Sequence, residues 1–403
     1  MPPSPPAARL LHGRGRLLDG ATVRSPWALL VGTDGRIGWA GRDPDDAPDH
    51  AAERTDLGDV LVTPGLVDAH THPVFAGDRD DEAAARLEGA PYSGGGILRT
   101  VAATRAASDT ELEALVEGRL RAALTAGTTT VECKSGYGLS LEEEVRALRI
   151  VGQVAGRLAV RVVRTFLGAH AVPPEASSPD AYIADVCETM IPAVAAEGLA
   201  DFVDAFCDDG FFSVAHLELI AAAARANGLK LRIHAEQLAR TGATELGIRL
   251  GANSVDHLEQ LDAAGIAALA ASSTVATLLP GPALLMGAGL PPARALLDAG
   301  ATVAIASDAN AGTFGSFSMP LVIGLASAVL GMQVGEALQA ATAGGAASLG
   351  LGEVCGTIRP GLAADLVAWD AEHEGAFALH LGDVRPHRIW IGGSEVRTAL
   401  AER

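Results

Sequence analysis

Between residues 64 and 352 the chain alternates short β-branched or apolar runs with longer stretches in which apolar residues recur every three or four positions. Eight such runs can be counted: one ending in His70-Thr71-His72, then 128–132, 160–167, 202–206, 229–233, 254–255, 274–279 and 302–306. The intervening stretches carry helix starts. Ser108-x-x-Glu111 opens the stripe Leu112, Leu115, Val116, Leu120, which stops at Gly127, and Ser140-x-x-Glu143 opens Val145, Leu148, Val151. Eight strand-then-helix units predict an α/β protein built on a (β/α)₈ TIM-type barrel, with its active site at the C-terminal strand ends. Outside this region the pattern changes to short strands. Trp27–Val31 and residues 36–40 flank the turn Gly32-Thr33-Asp34-Gly35, and residues 364–369 and 389–393 form a matching pair near the other end. The two terminal segments are expected to meet as one small discontinuous β-sandwich domain. The division is therefore 1–63 and 353–403 for the small domain and 64–352 for the barrel.

Composition narrows the partners. Of 403 residues, 49% are hydrophobic and 20% charged, enough for a large core. Two uncharged runs, 263–293 and 309–335, are interrupted by Pro280, Pro282, Asn310 and Pro320, so they read as buried strands and loops rather than membrane spans. A net charge of −19 repels phosphate backbones and anionic lipid surfaces, which disfavours nucleic acid and membrane partners. An anionic substrate would need a locally placed cation. The four cysteines are scattered without a CxxC pair, the usage expected of reduced thiols in a cytoplasmic protein. The N-terminal residues lack the basic-then-apolar pattern of a secretory signal.

The chemistry gathers at the ends of the runs. The apolar lead Val60-Leu61-Val62 reads as the start of the buried strand that ends in His70-Thr71-His72, where i and i+2 put two imidazoles on one face. Arg79 follows in the next loop. The second run ends in Lys134-Ser135-Gly136-Tyr137, the third at His170, and the fourth, through Asp208, supplies acids only. The fifth ends in His234-Ala235-Glu236-Gln237, the sixth in Asp256-His257, and the eighth in Ser307-Asp308-Ala309-Asn310. Each has a bland alternative: Asp308 an N-cap, Arg79 a surface ion pair, Tyr137 a turn residue, His170 and His257 core histidines. One barrel face would have to carry all of them by coincidence. The physical reading is a mononuclear site of His70, His72, His234 and Asp308 holding one Zn²⁺ or Fe ion, which lowers the pKa of a bound water toward ~7. Asp308 could also accept the water's proton. His257 could polarise the carbonyl or carry a proton to the leaving nitrogen, and Arg79 could pair with a substrate carboxylate.

With these residues assembled, the chain resembles the imidazolonepropionases, cyclic-amide hydrolases of the amidohydrolase superfamily. The likeness rests on the segment 64–72 and on Val74-Phe75-Ala76-Gly77-Asp78-Arg79, Gly94-Gly95-Gly96-Ile97 and Lys134-Ser135-Gly136-Tyr137-Gly138-Leu139. It continues through Phe166-Leu167-Gly168-Ala169-His170, His234-Ala235-Glu236-Gln237, Asp256-His257-Leu258-Glu259 and the segment 340–346. The resemblance implies hydrolysis of 4-imidazolone-5-propanoate, a small anionic substrate, to N-formimidoyl-L-glutamate in histidine degradation. It also implies metal ligands at His70, His72, His234 and Asp308. Arg79, Tyr137 and His170 would hold the substrate, and the loop Asn310-Ala311-Gly312-Thr313 would contact substrate or product. Similar proteins are often homodimers, so a homodimer is implied. Some members carry Glu at the position of Gln237. Gln can orient a ring nitrogen but cannot act as a base, which leaves Asp308, His257 or an ordered water. Segment 89–94 is shorter than in many relatives, and relatives often show Asn-Pro-Gly-Ser in the last loop. The competing reading is an aminohydrolase acting on a heterocycle or amidine. That class resembles His-x-x-Glu after the fifth strand, where this chain has Gln237. A dinuclear site with a carbamylated lysine on the fourth strand is disfavoured, since Lys134 lies on the second.

Overall fold

The computed structural model describes residues 8–20, 22–49, 52–89, 96–287 and 289–396. Residues 90–94 of the rim segment, Gly94 and Gly95 of the Gly94–Ile97 motif, the proline-rich start and His50 lie outside the described residues. Eight parallel strands follow one another in sequence order around a barrel: β1 (Leu66–Asp68), β2 (Thr128–Lys134), β3 (Arg161–Ala169), β4 (Phe202–Cys207), β5 (Lys230–Ala235), β6 (Ser254–His257), β7 (Val275–Leu278) and β8 (Val303–Ile305). All eight runs read from the sequence become these strands. Most are buried on both faces, as strands covered by helices must be.

The ladder stops between β8 and β1, and the ring is closed just beyond their ends. Thr71 bridges Ala309, Asp308 N–H donates to His70 O (2.9 Å) and His72 N–H donates to Ala309 O (3.0 Å). Closure therefore runs through the histidine and aspartate segments themselves.

The outer helices start where the sequence says. Ser108 Oγ accepts from Glu111 N–H at the head of helix Asp109–Thr125, which buries Leu112, Val116 and Leu120. Ser140 does the same for Leu141–Ala155, which buries Val145, Leu148 and Val151. The first uncharged run resolves into helix Ala263–Ala270, β7 and helix Pro280–Met286, and the second contains helix Met319–Val329. Among the described residues no helix is long and apolar enough to cross a membrane.

Two further sheets draw on both ends of the chain. One has the order Ile37–Gly41, Trp27–Val31, Arg9–Gly13, Glu53–Asp56. The other runs Ser394–Val396, Pro386–Ile391, Leu366–Trp369, Val62–Pro64, Leu17–Asp19, Thr22–Arg24. The halves join where Val62–Pro64 pairs antiparallel with Leu366–Trp369. Trp27, Leu29, Leu366 and Trp390 lie in the apolar core that these strands enclose.

This corrects one expectation. The apolar lead at Val60-Leu61-Val62 is not the start of the His-x-His strand. Val62–Pro64 belongs to the six-stranded sheet and β1 begins only at Leu66. The chain changes sheets at Pro64-Gly65. Proline has no N–H for a ladder, and Gly65 fits so closely against β2 that a Cβ there would lie 2.1 Å from Thr129 Oγ1 and 2.5 Å from its Cγ2. Gly65→Ala should therefore cost about 2–3 kcal/mol in urea unfolding, and adding Thr129→Ala should recover part of the loss.

Candidate active site

The C-terminal strand ends enclose a small, largely polar recess. It is lined by His72, Arg79, Tyr137, His170, His234, Gln237, His257, Asp308, Asn310 and Thr313, with Ile97 and Phe206 as apolar wall. Of the remaining site residues expected from sequence, His70 is fully buried beside His72, and Gly312 lies against the Arg79 guanidinium. The two apolar wall residues carry no polar signature and were not read from sequence.

At the floor, three donor atoms converge. His70 Nε2 and His72 Nε2 are 3.3 Å apart, and Asp308 Oδ1 lies 3.3 Å from His72 Nε2 and 3.6 Å from His70 Nε2. His70, His234 and His257 form a second group whose ligand atoms lie within 4.8 Å of one another. The His234 Nε2 atom is buried without a partner. An ion with bonds of about 2.0–2.2 Å spaces neighbouring donors about 3.0–3.5 Å apart, so the donor set fits one divalent ion. The resemblance drawn from the sequence implies such a metal, and these residues suit it.

The outer nitrogens are held. His70 Nδ1 bonds Asp256 Oδ2 (2.7 Å) and His234 Nδ1 bonds Asp204 Oδ1 (3.1 Å), which places the proton on Nδ1 and the lone pair on Nε2. Burial first, and then the neighbouring positive groups, lower the pKa of the His70 ring well below the usual histidine range. Burial likewise lowers that of His234. Both are then neutral, as ligands must be. Burial opposes ionisation of Asp308, but His72, His257 and His234 together hold it below the usual carboxylate range. Asp308 caps no helix. It adopts φ +50, a conformation sparsely used by non-glycine residues, and aims its carboxylate at the histidines. His257, at φ +83, lies 3.6 Å from Glu259 through Nδ1. Burial works against its charged ring, yet Glu259, Asp308 and Asp256 raise its pKa above the ordinary value.

The upper wall is also built from local bonds. Arg79 is buried, its Nε and Nη2 both donating to Glu82 Oε2 (3.0 and 2.7 Å). Its guanidinium fits between two glycines: a Cβ on Gly96 would stand 2.1 Å from Nη2, and one on Gly312 2.2 Å from Nη1. Asn310 staples the last loop. Its Oδ1 accepts from Gly312 N–H (2.7 Å) and Thr313 N–H (2.8 Å), while Nδ2 donates to Asp308 O (2.6 Å) and Thr313 Oγ1 (2.7 Å). The loop is thus ordered without the proline that relatives often carry. His170 donates from Nδ1 to Gly136 O (2.9 Å) and stacks on His72 at 5.2 Å. The Tyr137 ring is 5.2 Å from that of His170. Gln237 turns into the recess, while its neighbour Glu236, at φ +58, turns away to accept from Arg240, Thr241, Gly242 and Thr244. Asp208 holds that turn, accepting from the N–H groups of Gln237, Leu238 and Ala239.

The family model described as "Amidohydrolase family" matches residues 61–396. Imidazolonepropionase from Caulobacter vibrioides is 48% identical over 366 residues, covering 89% of this chain and 91% of its own. The Pseudomonas putida (strain GB-1) imidazolonepropionase is 44% identical over 376 residues, covering 92% and 94%. This chain belongs to the imidazolonepropionases of the amidohydrolase family. Among solved structures, a zinc-bound adenosine deaminase from Xanthomonas campestris superposes with TM-score 0.74 at 21% identity, covering 98% of this chain and 93% of its own. A guanine deaminase from C. acetobutylicum superposes with TM-score 0.72 at 16% identity, covering 97% and 100%. At that identity the likeness is one of fold.

Glu144 supports the Tyr137 turn of this imidazolonepropionase-family site. Fully buried, it accepts from the N–H groups of Gly136 (3.0 Å), Gly138 (2.8 Å) and Leu139 (2.7 Å). Burial raises its pKa, while those bonds and Ser135 oppose the rise. Glu144→Ala leaves three buried donors unmet. We expect it to lose about 3 kcal/mol of stability by urea titration and to raise KM more than it lowers kcat.

Proposed function

We propose that this protein hydrolyses 4-imidazolone-5-propanoate to N-formimidoyl-L-glutamate, the ring-opening step of histidine degradation. The observation that carries the reading is the meeting of His70, His72 and Asp308 at the floor of a recess, with His234 beside His70 and His257 and a buried arginine in the wall. The named relatives support the same substrate.

His70, His72, His234 and Asp308 would hold one zinc or iron ion, since N/O ligation suits both. When bound, such an ion polarises the ring carbonyl and acidifies water. Asp308 accepts a proton from the attacking water. His257, its ring 5.2 Å from that of His234, delivers a proton to the departing ring nitrogen as the C–N bond breaks. Water is thereby added across the amide, with one proton moved from oxygen to nitrogen. Arg79 anchors the propanoate arm and supplies the local cation that a chain of net charge −19 requires. Tyr137, His170 and Gln237 orient the ring, and the Asn310-Gly312-Thr313 loop closes around it. The four free cysteines accord with a cytoplasmic enzyme.

Two rival chemistries meet specific obstacles. A deaminase-type proton shuttle needs a carboxylate at the position of Gln237, and Glu236 is committed to its own turn. A dinuclear site needs a neutral lysine to carry carbamate. Lys134 is instead held between Glu132 and Asp204, which keep its pKa above the ordinary value despite burial.

Metal-replete protein should consume freshly generated 4-imidazolone-5-propanoate, followed by loss of its ultraviolet absorbance, with formimidoylglutamate as product. His70→Ala/His72→Ala should abolish this. Absence of turnover by fully metallated wild-type protein would direct the site to another cyclic amide. Arg79→Met should raise KM by at least about tenfold with a far smaller change in kcat. An unchanged KM would remove Arg79 as the anchor.

A further inference from the structure

Beneath the recess, inside β2, β4, β5 and β6, lies a cluster of fully buried charges that the proposed chemistry does not use. Lys134 Nζ donates to Glu132 Oε1 and to Asp204 Oδ2, both at 2.7 Å. Arg232 Nη2 donates to Asp256 Oδ2 (2.9 Å) and to Ala69 O (2.7 Å), Nη1 donates to Ser348 O (3.0 Å), and Nε faces Glu132 Oε1 at 3.9 Å. Glu132 also accepts from Thr71 N–H (3.1 Å), the residue between the two histidines. Asp256 and Asp204 in turn hold His70 and His234. The contacts form a continuous chain from His70 through Asp256, Arg232, Glu132, Lys134 and Asp204 to His234.

We infer that Lys134 and Arg232 are positioning residues for the metal centre, each fixing the carboxylate that orients one histidine. The inference rests on the reading of His70, His72, His234 and Asp308 as ligands. Each carboxylate accepts from its histidine and its cation together, Asp256 through Oδ2 for both and Asp204 through Oδ1 for His234 and Oδ2 for Lys134. A buried ammonium or guanidinium gripping one oxygen leaves the carboxylate set to accept from Nδ1. Without that grip the histidine loses its fixed tautomer and direction, losses that weaken metal sites by about 10–100-fold.

Charge and orientation predict opposite signs, which makes the test sharp. Removing a cation beside the site should tighten metal binding if Lys134 acts by its charge alone, and weaken it if Lys134 acts through Asp204. The measurement is Zn²⁺ affinity by chelator competition on full-length wild type, Lys134→Met, Asp204→Asn and the double variant. The Co²⁺ visible spectrum reports ligand geometry, and melting of the metal-free proteins reports the scaffold. We expect Lys134→Met to bind 10–100-fold more weakly with an altered Co²⁺ spectrum, and the double variant to be no worse than Asp204→Asn within about twofold. Unchanged or tighter binding with an unaltered spectrum would overturn the inference, even if metal-free stability falls. So would losses that multiply in the double variant. If Lys134→Met does not fold, Arg232→Lys carries the same test, because lysine keeps the charge but cannot reach Asp256, Ala69 and Ser348 together. Wild-type protein that binds no more tightly than His70→Ala/His72→Ala would instead overturn the ligand reading, and the inference with it.

Discussion

The barrel closes through its own candidate active site. The ladder between β8 and β1 is completed by Asp308 N–H on His70 O and His72 N–H on Ala309 O, 2.9 and 3.0 Å long, past the ends of both strands. Folding the barrel shut and bringing Asp308 to the His-x-His pair are therefore one event. Asp308 at this closure holds φ +50, and at the ends of β5 and β6 Glu236, His257 and Leu258 hold φ +58, +83 and +73. That conformation is disfavoured for side chains of this size, and here it is held by the surrounding ring of strands. Preorganisation of this kind places the donors before any ligand arrives.

A second constraint follows from where the charges lie. Lys134, Arg232, Glu132, Asp204 and Asp256 have no exposed surface, and an unpaired ion in such a place would be strongly destabilising. Apolar side chains could fill the same volume without that desolvation. Their placement is intelligible as a mould for the histidine rings above them. The lower barrel is filled by a polar framework, while Phe166, Val203 and Ile233 belong to the apolar core around it.

Much of this was legible in the sequence, and the reasons are physical. All eight strands were marked by β-branched runs, because a strand covered on both faces has little room for polar residues. Helix starts were marked by Ser108 and Ser140, whose caps are local. The five strand-end histidines and Asp308 stood out because together they fall on one barrel face, which their separate ordinary readings would leave to coincidence. The break at Gly65 was missed because Val60–Val62 is as apolar as any barrel strand. Only its partners, Leu366–Trp369 about three hundred residues away and Leu17–Asp19, assign it to the other sheet. The orienting residues were missed because pairing them needs the order of strands around the ring. A signal did exist: Lys134 follows Glu132, and His234 follows Arg232, by two positions in otherwise apolar runs. Two positions along a strand is the same face, so each pair points together into the barrel.

The same alternation is broken at one residue just past β5. Positive φ at Glu236 rotates the chain just past β5, so that Gln237 faces the recess and Glu236 faces Arg240 and the start of the next helix. A carboxylate so held, fully buried and accepting from several donors, is not available to shuttle a proton to an exocyclic amine. The recess is left with an amide from β5, a histidine from β6 and an arginine set between two glycines. An amide can hold a ring nitrogen, and the histidine can carry one proton. The arginine can balance one carboxylate in a chain whose field otherwise repels it. Those three groups match a neutral cyclic amide bearing an acidic arm, and they explain how a widely shared barrel can serve ring opening here.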